Sequence, residues 1–414
     1  MISSLSPTLQ PVFLAFAVCF TRPGFENFAA LLSGLLLCQG RHTISRAIQA
    51  AGLLAEGKHH SAAYRFLAEG RWKPDELGHV LFQLLLPRLG AEVLGVVDDT
   101  LFRRGGPHVW GLGMHHDASR STYGRFTSAG RHVAFACGLS WVVLSVWVPL
   151  PWGEGRGVAV PVLFRLYRTK SRCPKGQYRK KTELAGDLIK ILATWIPEGR
   201  TLHVVADSEY SSKTVVRVLP PGVRFTGSMP LDAALYDLPG GYRGKGRPRT
   251  KGRRLPSPKA LADSKARVNK WEHLKITLYG QQVTLLVKTW VCLWYTVALG
   301  RSVRVVLTRD PRGRLQDRAY FCTDTEPSAA EILTRYSRRW STEVTFRDAK
   351  QFLGVGDPQN GFWRRKHGTR RPKVKAGPNP RGNRGRKAVE RTVPLCFLAY
   401  GVTVAWYCAA PAGT

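Results

Sequence analysis

The stretch that decides the fold is YSRRWSTEVTFRDAK, which occupies residues 336–350. It contains no Gly or Pro, and its residue types are compatible with a helix. At about 100° per residue, four polar side chains project within about 60° of one another; they are Tyr336, Arg339, Glu343 and Lys350. The spacing therefore predicts a helix with one narrow stripe of Tyr, Arg, Glu and Lys.

The composition of this stripe favours a functional site over a packing surface. Charged residues are rarely buried unless they are paired. A surface row of ion pairs is the alternative, but Glu343 and Lys350 are seven residues apart, whereas direct pairing on a helix needs a spacing of three or four. A Glu that holds a metal ion, beside an Arg and a Lys that hold phosphates, accounts for these residue types together. We predict that the helix runs from Ser328 to about Leu353.

Two aspartates directly follow apolar strands. Asp98 follows EVLGVV at 92–97, and Asp207 follows LHVVA at 202–206. Carboxylates at such strand ends can share oxygen ligands to Mg²⁺, and two such ions about 4 Å apart could hold the attacking and leaving oxygens of a phosphoryl transfer. Asp99 is the neighbour of Asp98, and only one of the two can face a cleft because side chains alternate along a strand.

The elements around these aspartates predict an α/β fold. We expect strands and helices in the order β-β-β-α-β-α-β, which is typical of a mixed sheet with helices packed on it. The predicted strands lie at 92–97, 132–137, 141–148, 202–206 and 223–226, and the predicted helices at 182–196 and 212–219. Two strands that deliver carboxylates at their C-terminal ends suit a cleft at that edge of the sheet.

The residue patterns in the rest of the chain predict its domains. Residues 1–90 read as short helices, with Thr43 as a helix cap, and suit a DNA-end-binding domain; a helical bundle with only a packing role is the alternative. A basic loop and a β-rich insertion occupy 231–325. The catalytic domain would then comprise 91–230 and 326–410, with an apolar closing helix at 394–407.

Other candidate metal sites are weaker. His115-His116-Asp117 has suitable residue types, but it lies in a Gly-rich stretch, and we interpret it as a loop. The eight cysteines form no C-x-x-C pair, which is typical of reduced, buried cysteine in a cytosolic protein.

The charge balance predicts a polyanionic partner. The 63 Lys and Arg residues against 28 Asp and Glu give a net charge of +35, which suits nucleic acid because neutralised phosphates release condensed counterions. Three basic stretches, at 165–181, 243–254 and 364–391, hold 8, 7 and 12 of these cations. We interpret them as a track for the DNA backbone, although a purely solubilising role is the alternative. No apolar run in the sequence predicts a membrane partner.

The spaced residues resemble a known family. Y-x2-R-x3-E-x6-K is the signature of a large group of bacterial insertion-sequence transposases of the DDE type, whose catalytic domain has an RNase H-like fold. VVDDT at 96–100 resembles the group's first-strand motif, and ADSEY at 206–210 its second. A β-rich insertion between the second Asp and the Glu also agrees. The resemblance covers about 91–355.

The resemblance implies a reaction, a metal and partners. Its members cut and paste double-stranded DNA with Mg²⁺, for which Mn²⁺ often substitutes, and many work as homodimers on paired ends. It implies three metal ligands, which are Asp98, Asp207 and Glu343. It also implies residues that hold DNA, which are Tyr336, Arg339 and Lys350, with Arg338 and Trp340 as helpers and Trp340 as a stacking platform for a flipped base. We favour Asp98 over Asp99 because the family motif is Asp, any residue, Thr.

Three functions follow as hypotheses. The first is an active transposase in the bacterial cytoplasm, associated with the nucleoid. The second is an RNase H-fold DNA nuclease that does not transpose. The third is a basic DNA-binding protein without catalysis, which the presence of all three acids disfavours.

Overall fold

The computed structural model describes residues 5–55, 57–105, 109–121, 133–153, 155–241, 244, 247–263, 270–357 and 382–409. Part of the basic stretch at 243–254 and most of that at 364–391 lie outside the described residues. One continuous apolar core runs from the N-terminal helices through the sheet to the last helix, and includes Phe28, Val143 and Phe397.

The N-terminal part folds as short helices, as predicted. They are α1 (Gln10–Ala15), α2 (Arg22–Leu37), α3 (Ile44–Ala50), α4 (Ser61–Ala68) and α5 (Pro74–Leu85). The predicted cap is present, because the Thr43 side chain accepts a hydrogen bond from the Arg46 N–H at the start of α3. Pro74 begins α5 at a position where its missing N–H costs no helical hydrogen bond.

A ten-stranded mixed sheet forms the centre of the protein. Its strands are β1 (Glu92–Arg103), β2 (Gly113–His116), β3 (Phe135–Pro149), β4 (Gly157–Tyr167), β5 (Thr201–Ala206), β6 (Arg224–Met229), β7 (Glu272–Leu278), β8 (Gln281–Leu293), β9 (Ser302–Arg309) and β10 (Arg318–Cys322). Helices α6 (Lys181–Trp195) and α7 (Lys213–Val216) connect β4 to β5 and β5 to β6.

The pairing of these strands confirms the predicted fold class. The spatial order is β2-β3-β1-β5-β6-β10-β9-β8-β7, with β4 paired to β3. β1, β5 and β6 are parallel to one another, whereas β3 and β4 run antiparallel. A mixed sheet of this kind, flanked by helices, is consistent with an RNase H-like fold.

Two of the strand predictions were wrong. The predicted strands at 132–137 and 141–148, as far as they lie in the described residues, meet in one strand from Phe135, because Gly138 continues β3 instead of breaking it. A Cβ at Gly138 would lie 2.4 Å from the carbonyl oxygen of Phe102, so glycine permits the close approach of β1. β4 was not predicted, since Pro161 is unfavourable inside a strand; here a register irregularity beside Ser145 accommodates it.

The β-rich insertion continues the same sheet. β10 pairs with β6, and β9, β8 and β7 follow as antiparallel neighbours. Two short helices accompany these strands, α8 (Pro258–Asp263) and α9 (Tyr295–Ala298). Because the insertion shares its ladder with β6, it is anchored to the strands that carry the aspartates.

The final helix of the predicted site is interrupted. We expected one helix over 328–353, but α10 (Ala329–Arg338) and α11 (Trp340–Phe352) are separate helices that meet at Arg339. The Arg339 N–H bonds to the Tyr336 carbonyl, three residues back. This tighter turn changes the helix ladder where no Gly or Pro marks a break.

Both helices are fixed to the sheet by polar contacts. Arg335 on α10 donates to the Glu92 carboxylate at 2.8 and 3.0 Å, and Glu92 also lies 3.5 Å from Nδ1 of the buried His203. Burial opposes the charge on Glu92, but His203 and Arg335 lower its pKa to about 2. On α11, the Thr345 hydroxyl donates to the Ala159 carbonyl at 2.7 Å.

The last helix, α12 (Gly382–Ala409), returns to the N-terminal part of the chain. It begins earlier than the predicted 394–407 and continues through Pro394. By length and composition it could cross a membrane, but 67% of its most apolar window is buried in the fold. It contacts α1, α2, α4 and α5 as well as β4 and α11, which is the packing of a core helix.

Arg391 of α12 is a buried structural cation. Its guanidinium donates to the carbonyls of Leu67, Gly70 and Trp72 at 3.0, 2.5 and 2.7 Å, and it lies 4.9 Å from the Trp72 ring centre. Leu67 lies in the last turn of α4, where helix geometry leaves the final carbonyls without helical partners, and Gly70 and Trp72 lie in the segment that follows. Arg391 therefore belongs to the core although it lies within a basic stretch.

Arg391→Met should lower the free energy of unfolding by about 2–4 kcal/mol, because three carbonyls lose a charged donor. Urea denaturation measures this change. The matched control is Arg384→Met, since Arg384 on the same helix is 71% exposed and pairs only with Glu69 at 3.3 Å. That control should change stability by less than about 0.5 kcal/mol. Equal effects of the two substitutions would contradict the assignment.

Candidate active site

The predicted stripe lies along β1. Tyr336 packs against the cluster that contains Leu94 and Val96, and farther along the strand Lys350 Nζ lies 5.1 Å from the ring centre of Phe102. The contacted β1 residues all have even numbers, because every second side chain of a strand points to the same side. Helices α10 and α11 therefore cover one side of β1 from its start to its end.

Asp98 lies on this side and meets the stripe at Arg339. The Arg339 guanidinium donates from Nη1 to Asp98 Oδ2 at 3.0 Å and from Nη2 to Glu343 Oε1 at 2.8 Å. The Arg339 and Asp98 side chains are only 15% and 14% exposed, whereas Glu343 is 38% exposed. One guanidinium thus links β1 to α11 and brings two of the predicted acids together. Asp98 lies inside β1, which continues to Arg103 because it stays paired with β3, and not directly after the strand as predicted.

Asp207 is next to Asp98 across the sheet. The parallel pairing of β1 with β5 ends at Val97 and Ala206, so both aspartates are the next residues on strands that lie about 4.8 Å apart. Asp207 Oδ1 accepts two backbone N–H groups of the following turn, from Glu209 at 2.9 Å and from residue 210 at 3.3 Å. These bonds fix the direction of its carboxylate.

The paired aspartates carry an electrostatic cost. Burial raises the pKa of Asp98 to about 7. The Arg339 guanidinium opposes this shift, and the negative charges of Asp207 and Asp99 add to it. Burial also raises the pKa of Asp207, against the hydrogen bonds it accepts. A second cation beside the pair would relieve this cost.

Asp99 points to the opposite side of β1. Its carboxylate accepts the Tyr210 hydroxyl at 3.0 Å and the Lys181 ammonium at 2.8 Å. Asp98, and not Asp99, shares a guanidinium with Glu343. The side-chain alternation noted in the sequence therefore separates the two neighbours between two different sets of partners.

The other residues of the motif have distinct surroundings. Tyr336 is half-buried with its ring 4.6 Å from that of Tyr320. The Arg338 guanidinium lies 4.0 Å from the Trp147 ring centre, so it packs against the sheet. Trp340 is 51% exposed and makes an edge contact with Tyr279 at the tip of the β7–β8 hairpin. Lys350 is exposed.

Several residues of the site were not singled out from the sequence. Lys181 was counted only as part of a basic stretch, yet it contacts Asp99 and lies 3.6 Å from Glu209. Tyr210 is the last residue of ADSEY, and that motif was the available signal. Arg335 precedes the stripe by one residue and carried no separate signal.

His115-His116-Asp117 lies on and directly after β2. We expected a loop, but His115 and His116 lie on β2, and His115 is buried. Asp117 forms an ion pair with Arg103 at 2.6 Å. β2 pairs with β3 in the sheet. The short, glycine-flanked sequence of this segment did not predict a strand.

The donor set of the cleft suits a hard divalent cation, since Asp98, Asp207 and Glu343 supply only carboxylate oxygens. In the described part of the chain, no three His, Cys, Asp or Glu side chains are already grouped to hold an ion, because Arg339 lies between Asp98 and Glu343. Asp98 within β1 and Asp207 directly after β5 are the carboxylates that fit best, and Glu343 is joined to Asp98 through Arg339.

Comparison with known proteins identifies a family. The model of the family described as DDE superfamily endonuclease matches residues 15–283, which is more than half of the chain. The match includes the ends of β1 and β5 with their aspartates and stops before α10 and α11. A comparison with the curated proteins gave no match.

The pKa of Asp98 gives a pH prediction. A proton and a divalent cation compete for the same carboxylate, so the apparent affinity for Mn²⁺ should fall as the pH is lowered through about 7, approaching about tenfold per pH unit. Isothermal titration with Mn²⁺ between pH 8 and pH 6 measures this. Asp98→Asn should bind Mn²⁺ weakly at every pH. An affinity that does not change over this range would contradict the prediction.

Proposed function

Because the chain belongs to the DDE superfamily endonucleases, we propose that it is a transposase that cleaves DNA at the ends of an insertion sequence and joins those ends to a target. The family makes it a nuclease-type enzyme with DNA as its substrate. The assignment to transposition, as distinct from DNA cleavage alone, rests on the residues of α10 and α11.

The observation that carries the proposal is that Asp98 and Glu343 share the Arg339 guanidinium while Asp207 follows the strand beside Asp98. Asp98 and Asp207 follow paired residues of neighbouring parallel strands, and Arg339 joins Asp98 to Glu343 on α11. These acids are distant in the sequence, and their placement around Arg339 and the β1–β5 pair supports a phosphoryl-transfer site built from carboxylates. The Y-x2-R-x3-E-x6-K spacing supports the assignment to insertion-sequence transposases.

Asp98, Asp207 and Glu343 would hold the divalent metal, which we propose to be Mg²⁺, with Mn²⁺ as a substitute. When bound, the metal would supply positive charge to the attacking and leaving oxygens of the phosphodiester. In cleavage, a water oxygen bonds to phosphorus while the bond to the 3′ oxygen breaks, which leaves a 3′ hydroxyl. In joining, that hydroxyl oxygen bonds to a phosphorus of the target strand while the bond from this phosphorus to its own 3′ oxygen breaks, which leaves a 3′ hydroxyl on the target.

Arg339 has two roles in this proposal. Without DNA, its guanidinium neutralises Asp98 and Glu343. With DNA bound, the same planar group can turn to the oxygens of a phosphate, which it binds in a bidentate manner. Tyr336 and Lys350 would extend the contact with DNA along the stripe. Arg338 supports the helix from the side of the sheet, and Trp340 presents an exposed aromatic face.

The positive charge of the chain supports DNA as the partner. A net charge of +35 favours binding to double-stranded ends and target DNA, with a steep dependence on salt. We propose that residues 1–90 contact the transposon ends, that residues 91–230 and 326–410 form the catalytic domain, and that two copies act together on paired ends. The expected setting is the bacterial cytoplasm at the nucleoid.

Asp98→Ala, Asp207→Ala and Glu343→Ala should each lower Mg²⁺-dependent cleavage by at least about a thousandfold, because each removes a ligand from the charge clamp on phosphorus. The substrate is DNA from both flanks of the protein's own gene, and sequencing gels map the products. Binding of the same DNA should persist in all three variants.

The matched control is Asp348→Ala, since Asp348 lies on α11 but pairs with the neighbouring Arg347 at 2.9 Å; its cleavage should remain near that of the unchanged protein. Full cleavage by all three variants would refute the proposal. Cleavage without joined products in the unchanged protein would instead favour a nuclease that does not transpose. DNA binding with no metal-dependent product would favour a non-catalytic DNA-binding protein.

A further inference from the structure

We propose that Asp99, Tyr210 and Lys181 form a clamp that holds Asp98 and Asp207 at a fixed separation. In this inference Asp99 is a positioning residue and not a metal ligand. It rests on the proposed function, because it concerns the same pair of carboxylates. We call these three residues the strand-end clamp.

The need for a clamp follows from where the strand pairing stops. The ladder between β1 and β5 ends at Val97 and Ala206. Beyond these residues β1 remains paired with β3 as far as Arg103, whereas β5 has ended. No β1–β5 ladder hydrogen bond therefore fixes the distance between Asp98 and Asp207, and their like charges repel each other.

Tyr210 supplies the first connection. Its side chain is fully buried, and its hydroxyl donates to Asp99 Oδ1 at 3.0 Å. Burial and the charge of Asp99 raise the pKa of Tyr210 well above its usual range, so the hydroxyl keeps its proton and remains a donor. The backbone N–H of the same residue donates to Asp207 Oδ1 at 3.3 Å. One residue thus joins the end of β1 to the carboxylate that follows β5.

Lys181 supplies the second connection. As the first residue of α6, it places its ammonium 2.8 Å from Asp99 Oδ2 and 3.6 Å from a Glu209 carboxylate oxygen. Burial opposes the charge on Lys181, but the carboxylates of Asp99 and Glu209 raise its pKa. The backbone N–H of Glu209 donates to Asp207, so this connection also ends at the second aspartate.

The alternation along β1 explains why Asp99 can perform this task. Asp98 and Asp99 point to opposite sides, so a contact that grips Asp99 leaves the oxygens of Asp98 free on the cleft side. Groups that orient metal ligands from behind commonly change metal affinity by about 10–100-fold when removed. The strand-end clamp would orient the proposed metal ligands Asp98 and Asp207 from behind in the same way.

The test is Mn²⁺ affinity, measured by isothermal titration without DNA. Tyr210→Phe and Lys181→Met should each weaken Mn²⁺ binding by about tenfold. Lys181→Arg should restore much of the loss, because it keeps the cation. The two weakened variants should cleave DNA at a normal maximal rate once Mg²⁺ is raised by a similar factor, which a general loss of structure would not allow.

The matched control is Tyr178→Phe. It removes a tyrosine hydroxyl from a half-buried residue, whose oxygen lies 3.2 Å from that of Tyr167. Its Mn²⁺ affinity should be unchanged. If Tyr210→Phe fails to fold, the contrast between Lys181→Met and Lys181→Arg decides the question alone.

Separate outcomes reject the clamp and the proposed function. Wild-type Mn²⁺ affinity in both Tyr210→Phe and Lys181→Met would reject the clamp. A loss in Asp99→Asn as complete as that in Asp98→Ala, with Tyr210→Phe unaffected, would make Asp99 a ligand and also reject it. Wild-type Mn²⁺ affinity in Asp98→Ala and Asp207→Ala would instead reject the proposed function.

Discussion

Strand β1 serves both sides of the site, because neighbouring side chains of a strand must point in opposite directions. On one side Asp98 meets Arg339 and, through it, Glu343. On the other side Asp99 meets Tyr210 and a lysine of α6. The final helices, the turn after β5 and the start of α6 are thus brought to the same end of the sheet. A shift of β1 by one residue would exchange the two aspartates and disrupt every one of these contacts.

The site is acidic within a strongly basic chain. Its carboxylates lie close together at the end of the parallel strands, where burial raises the pKa of Asp98. Several cations of the basic stretches already have partners within the fold. Arg165 binds Asp75, Arg391 binds backbone carbonyls and Lys181 binds Asp99. The charge available to a polyanion is therefore smaller than the composition alone implies.

The sequence predicts those features that depend on local periodicity. The apolar runs before Asp98 and Asp207 are strands, and the stripe from Tyr336 to Lys350 faces β1. Prediction from the sequence fails where contacts with a neighbouring strand or helix decide the local structure. Gly138 signals a break in isolation, but it continues a strand because β1 lies against it. The interruption at Arg339 has no breaker residue, and it coincides with the guanidinium that holds two acids. Side-chain alternation shows that only one of Asp98 and Asp99 can face the cleft. It does not show which one, because that depends on tertiary contacts such as the partners of Asp99.

The return of α12 to the N-terminal helices sets an order of events during synthesis. The faces of α4 and α5 that pack on α12 meet that helix only after about 300 further residues have been made, from the end of α5 at Leu85 to the start of α12 at Gly382. At about 5–20 residues per second, the ribosome needs roughly 15–60 s for that length. During this interval α4 and α5 lack the surface of α12 and the Arg391 guanidinium that binds the Leu67 carbonyl in the last turn of α4. A chain that stops before α12 therefore lacks this packing and the Arg391 guanidinium.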